Sequence, residues 1–74
     1  MNQEDQTPHI GALIRTELKR QGRTTVWFAS QLGFTRENCY KIYRHSWIQT
    51  DTLVNISKIL HHDFFKDMSN YLNL

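Results

Sequence analysis

The sequence predicts an all-α domain: five short helices around one core, two of them joined as a helix-turn-helix. Apolar residues recur three and four positions apart from residue 10 to residue 72, and no stretch alternates as a strand would. Glycine or a capping residue separates the periodic segments at short intervals. Between residues 25 and 44, two helical patterns are hinged on a single glycine, Gly33. Five helices packed on one core is the economical arrangement of these segments.

Residues 1–7 are polar, acidic and unpatterned, and are read as a flexible leader to a domain spanning residues 8–74. Pro8 is expected to open the first helix, because its missing N–H is not needed in a first turn. Ile10, Ile14 and Leu18, with Leu13 alongside, keep one apolar face to about Gln21, and Gly22 ends the helix. The second and third helices are placed at 25–32 and 36–44. Thr24 and Thr35 stand at their N-cap positions, each able to accept from a free N–H of the following turn. Phe28 and Leu32 form one buried stripe, with Ala29 small enough for the next helix to cross closely. Gly33 enters the left-handed region cheaply, and Phe34 is expected to close the apolar side of the turn. Cys39 and Ile42 form the matching stripe. A plain helical hairpin would use much the same apolar spacing; the small residue, the glycine and the cap together favour the helix-turn-helix.

Residues 45–49 are read as a loop, with Trp47 or Ile48 plugging the core. Thr50 or Asp51 is expected to cap a fourth helix whose apolar face is Leu53, Ile56, Ile59 and Leu60, with Val54 nearby. His61, His62 and Asp63 break the pattern. A short fifth helix then runs from Phe64 or Phe65 through Met68 to Tyr71 and Leu72.

Seventy-four residues make one small domain, burying only about 60 to 65% of the surface its unfolded chain exposes. The single Cys39 excludes an intrachain disulfide, and its place in an apolar stripe suits a small buried hydrophobe. Nothing resembles a signal peptide or a membrane span, so a cytoplasmic location is expected. The net charge of +2 hides an asymmetry. Residues 15–44 carry Arg15, Lys19, Arg20, Arg23, Arg36, Lys41 and Arg44 against Glu17 and Glu37, a local balance of +5. The cations thus gather in the third of the chain that holds the helix-turn-helix, as phosphate neutralisation requires.

The pattern resembles the phage-repressor and Cro (XRE-type) DNA-binding domains, the lambda-repressor-like fold, over roughly residues 10–72. Its anchors are Phe28-Ala29-x-x-Leu32-Gly33, the Thr35-led helix with Cys39 and Ile42, and Leu53-x-x-Ile56-Ser57-x-x-Leu60. The Tyr40-Lys41-Ile42-Tyr43 and Asp63-Phe64-Phe65 runs are similar to those of small single-domain regulators of this kind. Two departures stand out. Many members end the third helix with Asn-Gly, where this chain has Arg44-His45, and Cys39 replaces the usual β-branched residue.

The resemblance implies double-stranded DNA as partner, with the N-terminal part of the third helix in the major groove. Arg36, Glu37, Tyr40 and Lys41 are then the base-reading candidates. Arg36 has the geometry to bond guanine O6 and N7, or to hold a phosphate alone. Glu37 is able to accept from cytosine, or to pair with Lys41 four residues on. Tyr40 suits a thymine methyl or a phosphate. Arg23, Thr24, Thr25, Thr35, Arg44, His45 and Gln49 are the phosphate candidates. Trp27 is expected either to lie against the long side chains of the first helix or to flank the sugar-phosphate backbone, packing being the favoured of the two.

Adjacent His61 and His62 point to different sides of a helix and lack a third residue at ligand spacing, so no metal is expected. No nucleophile elbow or glycine-rich phosphate loop is present, and neither enzymatic activity nor a cofactor is expected. Five large apolar residues between Phe64 and Leu72 exceed what one face of a short helix buries, so homodimerisation through this end is open beside a fully monomeric core. The readings are therefore a sequence-specific transcriptional regulator, the antitoxin of a toxin–antitoxin pair, or a protein-interaction module that keeps the fold without binding DNA.

Overall fold

The computed structural model describes residues 8–73 as five α-helices: α1 (Ile10–Arg20), α2 (Thr25–Leu32), α3 (Arg36–Arg44), α4 (Thr50–Leu60) and α5 (Phe64–Leu72). No strand occurs among the described residues, and no helix is long and apolar enough to cross a membrane. The expected leader at residues 1–7 lies outside the described residues.

The helix starts show where local chemistry differs from expectation. The first helix begins two residues after Pro8, because His9 is the cap: its backbone is extended and its Nδ1 accepts from the Ala12 N–H at 3.0 Å. Thr24 and Thr35 do cap α2 and α3, accepting from the Trp27 and Asn38 N–H groups at 3.0 and 3.1 Å. Neither Thr50 nor Asp51 caps α4. Thr50 is already helical, Gln49 holds the cap position without a side-chain bond, and Asp51 takes the N–H of Thr52 instead. The His61–Asp63 break contains both the end of one helix and the start of the next. His61 adopts a left-handed φ of 52° to end α4, and Asp63 caps α5 through the Lys66 N–H.

The core takes Ile10, Ile14 and Leu18 from α1, Phe28 and Ala29 from α2, and Cys39 and Tyr43 from α3. Leu53, Ile56 and Leu60 of α4 and Phe64 of α5 complete it. Leu32 and Ile42 are only half-buried at its edge, and Tyr43 holds the inward position beside Cys39. Phe34 does not seal the turn: it is 39% exposed, because the chain must run outward to reach the cap of α3. Ile48 packs on the core, while Trp47 stays 66% exposed. Burial pushes the Cys39 thiol up, so it behaves as a packed hydrophobe.

The contact of α1 with α3 is made at Gly11. A Cβ at this position would lie 2.2 Å from the Ile42 carbonyl oxygen and 2.5 Å from that of Tyr43, so only glycine permits the approach. The helix start is then satisfied by the loop after α3: Ile10 and Gly11 donate to the Ser46 and His45 carbonyls at 3.1 and 2.9 Å.

A polar network ties the ends of α1, α4 and α5 together. The buried Glu17 carboxylate accepts from Arg20 Nε at 2.9 Å and from Gln21 Nε2 at 2.7 Å, and Gln21 also donates to the Leu60 carbonyl. His62 stands between Asp67 Oδ2 at 2.7 Å and Glu17 Oε1 at 3.7 Å. The Arg20 hydrogen bonds, aided by Gln21 and His62 and opposed by burial, hold Glu17 at a pKa of about 2. A carboxylate depressed on folding stabilises fully above its unfolded pKa, and the contribution is lost as pH falls from about 5 toward 2. Because Arg20 is largely exposed and solvent screens the pair, removing the carboxylate leaves only a modest deficit in stability. Urea unfolding of Glu17→Gln should show that deficit at pH 6 and little of it at pH 2.5. An equal deficit at both pH values would mean that ionisation of Glu17 is irrelevant to stability.

Candidate nucleic-acid interface

The turn between α2 and α3 is built by Gly33, at φ 73° and ψ 27°, which any residue with a Cβ adopts only at a cost. Its N–H and that of Phe34 both return to the Ala29 carbonyl, closing α2 tightly. Behind the turn, the Phe28 and Tyr43 rings stack with centroids 6.4 Å apart and planes within 10°. The Tyr43 hydroxyl bonds Thr25 Oγ1 at 2.9 Å, fixing the first residue of α2 against the last turn of α3. Burial is the largest of the influences that push the Tyr43 phenol up, so the neutral form is held.

With Cys39 and Tyr43 inward, helical geometry places Glu37, Lys41 and Arg44 on the stripe opposite the core. Tyr40 flanks that stripe on one side and Asn38 on the other, while Arg36, seven residues before Tyr43 and so on its side of the helix, is exposed because it is the first residue of α3; all six side chains are exposed. Tyr40 is further fixed by an edge contact with Tyr43, with centroids 5.9 Å apart. Among the described residues, Glu37 and Lys41 form no ion pair, and Arg36 forms none either. The stripe therefore presents hydrogen-bonding groups that the protein itself does not use.

The backbone-contact candidates divide. Arg23, Thr24, Thr35 and Arg44 are exposed around the two helix starts and the end of α3. The Thr24 and Thr35 hydroxyl oxygens accept from the chain's own N–H groups, which leaves each hydroxyl proton to donate. Thr25 is different: its hydroxyl is paired with that of Tyr43, where either oxygen can be the donor, and its backbone N–H at the first position of α2 is a further phosphate donor. His45 is likewise spent through its backbone, its N–H going to the Ile42 carbonyl and its carbonyl to Gly11. Its imidazole leans against Trp47 on the surface. Gln49 sits at the cap of α4 with an exposed side chain. Trp27 packs half-buried on the core, with the Arg23 guanidinium 4.3 Å above its ring centroid.

Sequence reasoning missed three participants. Asn38 lies two residues after Arg36 on the same first turn, and its exposure was legible from the helical period. Tyr43 follows Cys39 at the four-residue spacing that marked the other core pairs. Arg15 carried no local signal, because the Tyr43 ring beneath it belongs to a distant segment. At the other break, His62 is engaged by Asp67 and Glu17, and no group of three His, Cys, Asp or Glu suited to a metal occurs among the described residues. Comparison of the chain with family models, curated proteins and solved structures finds no match.

Proposed function

We propose that this protein is a sequence-specific DNA-binding transcriptional regulator, acting in the cytoplasm, in which α3 enters the major groove. The observation that carries the reading is the exposed cations of α3: Lys41 and Arg44 on the side away from Cys39 and Tyr43, and Arg36 at its first position, none of them in an ion pair among the described residues. The resemblance of residues 10–72 to phage-repressor and Cro domains supports it. Arg36 reads guanine through its bidentate fork, Glu37 accepts from a cytosine amino group, and Tyr40 and Lys41 extend the readout along the groove. Arg23, Thr24, Thr35, Arg44 and the Thr25 N–H hold phosphates and set the register. Tyr71 and Leu72 remain exposed at the end of α5, which supports a homodimer on half-sites about 34 Å apart.

Salt dependence is the test. Neutralising phosphates releases counterions, so log affinity falls linearly with log salt, with a slope of about −0.9 for each phosphate held. Only cationic contacts count, so Arg23 and Arg44 alone predict a slope of about −2, and each further Lys or Arg on a phosphate adds about −0.9. A flat response would favour a protein-interaction module over DNA binding.

A further inference from the structure

Three arginines between residues 15 and 23 are held in two different ways. Arg20 spends its in-plane donors on the Glu17 carboxylate. Arg15 and Arg23 are held over aromatic rings instead: the Arg15 guanidinium carbon lies 5.1 Å from the Tyr43 ring centroid, and that of Arg23 lies 4.3 Å from the Trp27 centroid. All five donors of a guanidinium lie in its plane. A cation–π contact therefore holds the group without a hydrogen bond to the ring's substituents, and leaves N–H donors of the fork for an anion's oxygens. Among the described residues, neither arginine enters an ion pair, and both are exposed.

Their location gives the fork a target. Tyr43 bonds Thr25, the first residue of α2, so the ring that carries Arg15 adjoins the helix-turn-helix rather than the far side of α1. Tyr40, on the outward face of α3, packs edge-on to the same ring. Arg23 stands two residues before Thr25 and brings a second stacked guanidinium to the same stretch of chain. We infer that Arg15, held over Tyr43, grips a phosphodiester of the DNA backbone, and that it and Arg23 form a pair of aromatic-mounted phosphate clamps. The inference rests on the DNA-binding reading above and assigns it a contact from α1, a helix outside the helix-turn-helix.

The test uses the full chain with two synthetic duplexes, a preferred site obtained by selection and a random sequence, titrated over a range of salt. Arg15→Ala should weaken both duplexes equally, by about 3- to 10-fold, and reduce the salt slope by about 0.9. Arg15→Lys should restore the slope while recovering only part of the affinity, since an ammonium neutralises charge without a planar fork. Thermal unfolding of each variant shows whether the fold is intact; if Arg15→Ala unfolds, Arg15→Gln keeps a stem over the ring and the same slope criterion decides. Wild-type binding with a steep slope that Arg15→Ala leaves unchanged overturns the inference alone. Wild-type protein that shows no salt-dependent binding overturns the DNA reading and this contact with it.

Discussion

Gly11→Ala is expected to be the most damaging single-atom-scale change in the molecule, lowering stability by about 3 kcal/mol. The added methyl would stand 2.2 Å from the Ile42 carbonyl oxygen and 2.6 Å from the Tyr43 carbonyl carbon, and both are backbone atoms with no rotamer to escape into. Relief requires α1 to move off α3, which breaks the Ile10 and Gly11 hydrogen bonds to the following loop. Overpacking typically costs about 1 to 3 kcal/mol, and leaving buried N–H groups unpaired adds to it. A 74-residue domain has only about 4 to 11 kcal/mol in total to lose. Alanine has the better helix propensity, so local effects alone would stabilise the variant by about 1 kcal/mol. Chemical denaturation beside an Ala12→Gly control on the exposed side decides between the two. A Gly11→Ala variant as stable as wild type would mean that α1 and α3 do not approach as described.

That glycine also marks a limit of what the chain alone reveals. Nothing around Gly11 in sequence announces a close approach, because the atoms it spares belong to Ile42 and Tyr43. The helices themselves were legible: the periods around Phe28 and Cys39, with Thr24, Gly33 and Thr35 as punctuation, set α2 and α3 at their observed bounds. Starts and loops were less so. His9 capping α1 through an imidazole, and Gln49 replacing Thr50 or Asp51, depend on backbone angles that composition does not fix. The outward face of α3 could be read from a wheel, whereas the Thr25 and Tyr43 bond and the Glu17 network join residues 18 and 45 positions apart. Tertiary polar pairs of that kind leave no periodic trace.

Arg36→Ala is expected to weaken binding to a preferred duplex by about 1 to 3 kcal/mol, roughly 5- to 150-fold, and to change binding to random DNA far less. The difference follows from the two uses of a guanidinium. A bidentate bond to guanine is lost only where that guanine is present, while a phosphate is present everywhere. Arg36 is exposed at the first position of α3 and enters no ion pair among the described residues, so its removal should alter stability by no more than about 0.5 kcal/mol. The loss would therefore report on DNA alone. Selection from a random-DNA pool supplies the preferred duplex, and parallel titrations of both duplexes supply the comparison. Equal losses on the two would make Arg36 a backbone contact and move base reading to Glu37, Asn38 and Lys41.

The most direct measurement follows every backbone amide of isotopically labelled protein by NMR as the preferred duplex is added at low salt. The largest shifts should fall in Arg36–Arg44 and around Arg23–Thr25, with the centre of α4 little moved. Shifts gathered on α4 or α5 with α3 unchanged, or no shift at a saturating excess of duplex, would contradict a DNA-reading role for α3.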